Sequence, residues 1–206
     1  MRRRRLTPYL LLTALVLGSS MGIGLGLSEA PASSPSANQG AGCPLGRAFA
    51  TAGLKFRYPS CWTSKSYTEI ATFFTSVVDL SDQTMHNPCH QLSTSTICGS
   101  PIDDLLPGHV LVRWFENGEP GWTLAKAPGR LITVAGRPAR EAVTRLRPMV
   151  REGVGIGADE TISVAISIPG RSDDWISMTA YLRSPGDRHA ASEVSHMLAT
   201  VTISRS

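Results

Sequence analysis

From Thr161 to Ile168 every second residue is apolar, which places Ile162, Val164, Ile166 and Ile168 on one face, and the same alternation returns at Ile176, Met178, Ala180 and Leu182. A period of two predicts half-buried strands, and the short Pro169–Asp174 turn between them predicts an antiparallel pair. Weaker versions of the pattern predict strands over Leu54–Tyr58, Thr72–Leu80, His109–Phe115, Arg130–Val134 and Ala139–Leu146. Asn117-Gly118 carries a hairpin signal that should fold the strand ending at Phe115 back toward Trp122. The period changes near the C-terminus: Val194, Met197, Leu198 and Val201 recur at helical spacing after Asp187, which can cap a helix. A shorter helix is expected over 46–52. About six to eight strands joined mostly by hairpin-type turns, with two helices, read as α+β: an antiparallel β-sheet with helices packed on it.

Before Cys43 the pattern is different. Arg2 to Arg5 precede an uncharged, apolar stretch from Tyr9 to Leu27, the arrangement of an export signal. At about 1.5 Å per residue it would also nearly cross a hydrocarbon core of roughly 30 Å, so residues 1–27 read as a signal peptide or a membrane anchor. The arginines hold the N-terminus cytoplasmic in both cases, and the rest of the chain goes outward. Small residues at Ser28 and Ala30 suit a cut near Ala30, although Pro31 follows. Residues 28–42, rich in Ala, Ser and Pro, read as a disordered linker. That leaves 43–206 as a single extracytoplasmic globular domain, secreted or tethered to the outer face of the membrane. Cys43 lies too far beyond the apolar run to be a lipidation site.

The net charge of +4 and pI near 9.1 suggest an anionic partner until the charges are located. Four of the 20 basic residues are Arg2 to Arg5 and one of the 16 acidic residues is Glu29, so the domain itself is close to neutral. Nucleic acid is therefore not expected as a partner. Contact with a membrane is expected only through the N-terminal segment, if uncleaved. The cysteines, Cys43, Cys61, Cys89 and Cys98, are even in number and bound for an oxidising compartment. Three pairings are possible. Cys43 with Cys61 and Cys89 with Cys98 is favoured, because each pair closes a short segment, worth roughly 2 to 3 kcal/mol.

Candidate chemistry is thin. His86, Cys89, His90 and Cys98 could ligate zinc only with both thiols reduced, so no metal is expected. Gly153–Ala158 fits a dinucleotide-binding glycine pattern, but a period-two strand follows where a helix is required, so no cofactor is expected. Arg137, Arg140, Arg145, Arg147 and Arg151 could face an anionic surface or simply line a solvated strand. Asp103-Asp104 and Asp173-Asp174 are neighbours in turns, where side chains point apart. No nucleophile elbow accompanies any histidine, so no catalytic residue is assigned. Trp114, Trp122 and Trp175 read as packing anchors; exposed tryptophans would instead favour lipid or glycan capture.

Several segments together resemble the Mog1/PsbP-like proteins. Phe56–Trp62 is similar to their opening strand and turn, with Cys61 where glycine is usual, and Val134–Ala139 is similar to a mid-domain turn. The paired strands and final helix, through Met197–Ile203, are similar to their close. Leu106–Val112, Gly157–Thr161 and Tyr181–Gly186 resemble stretches of exported actinobacterial proteins. The resemblance implies an α/β/α sandwich used for binding or docking, and Cys61 in place of glycine supports a bridge to Cys43. The expected function is a non-enzymatic binding or interaction domain for an unknown protein or envelope ligand; the rival is an extracellular hydrolase or lipid/glycan-binding protein.

Overall fold

The alternation at Thr161–Ile168 produces the centre of the molecule. In this computed structural model, which describes residues 43–93, 96–146, 156–168, 170–171 and 173–204, strand β10 (Glu160–Ser167) pairs antiparallel along its whole length with β11 (Asp174–Leu182). Ile162, Val164, Ile166, Ile176, Met178, Ala180 and Leu182 all face one buried side. Five further strands complete the sheet: β3 (Thr63–Lys65), β4 (Phe74–Ser81), β7 (Val110–Gly118), β8 (Arg130–Val134) and β9 (Arg137–Arg145). Its order is β3-β4-β7-β11-β10-β9-β8, with every neighbour antiparallel. A three-stranded sheet combines β1 (Leu45–Ala50), β2 (Leu54–Pro59) and β12 (Thr202–Ile203), and a two-stranded ribbon combines β5 (Cys89–Gln91) with β6 (Thr96–Cys98). The leader and linker lie outside the described residues, all of which belong to one compact unit. Among them no helix is long and apolar enough to cross a membrane.

The α+β expectation of helices packed on an antiparallel sheet, and with it the α/β/α sandwich, is overturned. Among the described residues the fold is β-rich, with sheets of three, seven and two strands and a single α-helix, α1 (Asp187–Leu198). The segment expected as a short helix is β1, which pairs with β2 through Arg47↔Tyr58 and Phe49↔Phe56. Pairing wins over local helix preference because Phe49 finds Phe56 at 5.2 Å between ring centroids, a contact only the extended strand makes. Gly46 permits it: a Cβ there would lie 2.8 Å from the Cβ of Ser60. One side of the seven-stranded sheet is thus covered jointly by α1, through Ala190, Val194, Met197 and Leu198, and by the small sheet, through Leu54, Phe56 and Tyr58. Phe56 stacks on Trp114 of β7 at 5.1 Å and 19° and so joins the two sheets.

The hairpin expected at Asn117-Gly118 does not form. Asn117 stays in the ladder, opposite Phe74 on β4 and Trp175 on β11, and its side-chain amide donates to Ser177 Oγ at 2.9 Å. A tight turn does join the two strands expected over Arg130–Val134 and Ala139–Leu146: between β8 and β9, Ala135 and Gly136 both take positive φ, 54° and 71°, as a two-residue hairpin requires.

Both expected disulfides are present. Cys43–Cys61 and Cys89–Cys98 have Cα separations of 5.9 and 4.0 Å and close 18 and 9 residues. Two disulfides suit an oxidising, extracytoplasmic environment. The first ties the start of β1 to the turn after β2, and the Cys43 amide also donates to Glu193 of α1 at 3.2 Å. Loop-closure entropy predicts that the paired Cys43→Ser/Cys61→Ser change costs about 3 kcal/mol and Cys89→Ser/Cys98→Ser about 2.5 kcal/mol. Urea titration of the two variants beside the oxidised parent checks this, and the ordering reverses if ribbon contacts outweigh loop length.

Candidate functional site

The side of the seven-stranded sheet away from α1 presents Leu111, Arg113, Phe115 and Asn117 from β7 and Trp175, Ser177, Thr179 and Tyr181 from β11. The register places Arg113 opposite Asp79 of β4 on one flank and Thr179 on the other. A bulge between Ser76 and Val78 lets adjacent Val78 and Asp79 both be buried, Val78 in the core and Asp79 beneath Arg113. The guanidinium of Arg113 is gripped from two sides: Nε donates to Asp79 Oδ1 at 3.0 Å and Nη2 to Glu69 Oε2 at 2.8 Å. Glu69 is brought there by the segment before β4, whose fold-back is held by the Ser76 amide donating to the Glu69 carbonyl at 2.9 Å. The guanidinium carbon also lies 5.1 Å from the centroid of the Phe115 ring.

Above this pair opens a cavity of about 280 Å³, lined by Glu69, Leu111, Arg113, Ile156, Tyr181 and the Cys98–Ser100 end of the disulfide ribbon. A satellite apolar cluster of Met85, Ile102, Leu105, Leu111, Ile156 and Ala158 closes one end of the face beside it. Burial pushes the Asp79 carboxyl above its ordinary range, against the pull of Arg113. Burial alone would lower Arg113, but the charge and hydrogen bond of Asp79, with Glu69, outweigh it and raise the guanidinium further. Burial likewise raises Tyr181, with Arg113 opposing and Asp79 adding to the shift, and raises Tyr67, with Asp79 adding to it. Asp79 Oδ2 is buried without a hydrogen-bond partner among the described residues. Such a group costs free energy unless something satisfies it.

A carboxyl raised on folding binds its proton more tightly in the folded than in the unfolded chain. Its contribution to stability is therefore full below the ordinary value of 3.8 and is lost as pH rises through the folded value. Asp79→Asn is expected to remove this falling component, flattening the stability profile above that pH. Chemical denaturation across the acid-to-neutral range tests it, and unchanged curvature would place the titration elsewhere.

The residues singled out from the sequence are dispersed. Cys89 and Cys98 are bridged, so neither thiolate is free for a metal; His86 approaches Asp103 at 3.8 Å and His90 lies exposed on the ribbon. The other close group of potential ligands among the described residues, Cys43, Cys61 and Glu193, also contains a disulfide. Of the glycine pattern, residues 153–155 lie outside the described residues, while Ile156 and Ala158 are buried and lead into strand β10. Arg137, Arg140 and Arg145 do not form one patch: Arg137 donates to the Ile203 carbonyl, Arg140 to the Gly129 carbonyl, and Arg145 approaches Glu160 at 3.6 Å. Arg147 and Arg151 lie outside the described residues. Asp104 holds Arg183 and Asp173 accepts from the Gly121 amide, so neither carboxylate pair converges. The tryptophans divide: Trp62 and Trp114 are fully buried, whereas Trp122 and Trp175 are partly exposed and stack on each other at 4.3 Å and 7°.

No protein-family model matches the chain, and no curated protein does. Among solved structures, a protein from Bacteroides thetaiotaomicron VPI-5482, known from a crystal structure at 1.50 Å resolution, is 12% identical with a TM-score of 0.41. The match covers 79% of this chain and 50% of that one, so this chain spans half the length of that protein, and a likeness of this degree carries no argument about function.

Proposed function

We propose that this chain is a non-catalytic, extracytoplasmic binding domain that takes its ligand on the open face of the seven-stranded sheet. It is secreted, or tethered to the outer side of the membrane by residues 1–27. The observation that carries this is the Arg113 site: a charged side chain held on two sides by carboxylates at the floor of a cavity of about 280 Å³, beside a raised Tyr181. Locked side chains at the base of a concavity are pre-organised, which lowers the ordering cost of binding. Arg113 is matched by Asp79 and Glu69, which favours a polar ligand over a strongly anionic polymer.

The test is amide and side-chain NMR of the exported protein titrated with solubilised cell-envelope material. Shifts on the open face, at Ser100, Arg113, Ser163, Thr179 and Tyr181 among others, are expected. Shifts centred on α1 would overturn the assignment of the face, and release of cleaved product from the added material would overturn the non-catalytic reading.

A further inference from the structure

At the other end of the same open face lies a second site, and its geometry points to a carbohydrate chain as the ligand class. The inference rests on the reading of this face as a binding surface. Trp175 stands on β11 opposite Ser167 of β10. Trp122 comes from the loop that follows β7 and lies flat on it, with ring centroids 4.3 Å apart and planes 7° from parallel.

Two cavities meet at this stack. One, of about 440 Å³, has both indoles in its wall with Pro120, Lys126, Pro128 and Ala165. The other, of about 430 Å³, lies against Trp122 with Leu124, Ser167, Ile168 and Arg171. The platform is fixed rather than draped. Within the loop the Trp122 amide donates to the Glu119 carbonyl at 3.0 Å, and the Glu119 and Gly121 amides donate to Asp173 at 3.0 and 3.1 Å. Farther on, Gly129, with φ +93°, lies so close to β9 that a Cβ would be 2.0 Å from the Glu141 carbonyl oxygen.

A rigid pair of indoles, partly open to solvent between two cavities, presents flat apolar area at little conformational cost. Mainly apolar walls surround the stack, and charged side chains of both signs, Lys126, Arg171 and Glu119, stand among them. A sugar ring matches that combination, with C–H groups on its face for the indole and hydroxyls on its rim that both donate and accept.

The polymeric form follows from the spacing. Trp175 and Tyr181 are six residues apart on one strand, about 20 Å by the rise of an extended chain, and between them the face offers Ser163, Ala165, Ser177 and Thr179. These four are small and partly open to solvent. An elongated, hydroxylated chain can lie along that floor and reach both ends.

The test is affinity electrophoresis of the full exported protein in native gels containing laminarin, mannan, arabinogalactan or chitin oligosaccharides, with tryptophan fluorescence as a second readout. Retardation by at least one of them is expected, with a shift in emission and with little loss in about 0.5 M NaCl, which screens charge. Trp122→Ala is expected to weaken binding about tenfold, equivalent to about 1.4 kcal/mol, while Trp122→Phe retains most of it. Should Trp122→Ala loosen the loop, Ala165→Gln keeps both indoles and fills the cavity floor, and it must lose binding too.

Absence of retardation and of any fluorescence change with all four polysaccharides overturns the carbohydrate assignment, as does binding to phospholipid vesicles in their place. If envelope material still shifts the Arg113 end of the face in that case, the binding reading stands and only the ligand class falls. If it shifts nothing, both fall.

Discussion

Arg113→Met is expected to lower stability by about 3–5 kcal/mol at neutral pH, because it strands a buried carboxylate. Asp79 is fully buried, one of its oxygens already lacks a hydrogen-bond partner among the described residues, and Arg113 supplies the Nε–H at 3.0 Å to the other. Methionine preserves most of the volume and the contact with Phe115, so the loss reads out charge rather than packing. The deficit should shrink as pH falls, since Asp79 takes up a proton more readily once its cation is gone. The Asp79→Asn/Arg113→Met double variant should recover much of the loss, which a double-mutant cycle by urea denaturation measures. Equal deficits in the single and double variants would show that the pair contributes no more than the space it fills.

The second large effect is expected at Trp114. It is fully buried, stacked on Phe56 at 5.1 Å, and on the same face as Val78, Val112 and Met178. Trp114→Ala should cost about 3–5 kcal/mol, from lost apolar burial and from the cavity left between two sheets that cannot close on it. For a domain of this size that lowers Tm by roughly 6–20 °C. Trp114→Phe should cost much less. It removes an indole N–H that has no partner among the described residues, and relief from that desolvation offsets part of the lost volume. Thermal unfolding by circular dichroism separates the two variants, and equal midpoints would mean that the inter-sheet contact is not where the core's stability lies.

Much of the fold was legible because its signals are local. The β10–β11 pair, the β8–β9 turn and the α1 stripe each follow from alternation or helical spacing within fewer than two dozen residues. The Cys89–Cys98 bridge was legible through cysteine spacing, but the two short strands it joins, with Cys89 opposite Cys98, were not. Two elements misled. The segment Leu45–Ala50 contains residues that tolerate a helix, and its extended form depends on Phe56 and Ser60, to which only the tertiary fold brings it. Asn117-Gly118 has the composition of a turn, yet two neighbouring strands hold it in a ladder.

The candidate site was not legible. Asp79 and Arg113 do carry a signal, a charge set between apolar neighbours (Val78 and Leu80, Val112 and Trp114), but nothing local pairs them. They are 34 residues apart, and the loop between β4 and β7 contains the ribbon and three aspartates, Asp82, Asp103 and Asp104, that would have served equally well as partners. Glu69 is harder still, since it reaches Arg113 from a segment with little strand pattern.

Hydrophobic spacing by itself determined β2, β4 and β7 to β11 as strands, the buried face of the β10–β11 pair and the α1 stripe, because side-chain burial follows the geometry of one element at a time. Cysteine count and the apolar N-terminal segment likewise pointed to an oxidising compartment, since thiol chemistry depends on environment more than on fold. Only the tertiary structure decided that a second sheet takes the place of a second helix over the core. It alone placed Arg113 over Asp79 and Trp122 on Trp175, because those contacts depend on strand order, and strand order is set by how all the faces are buried at once.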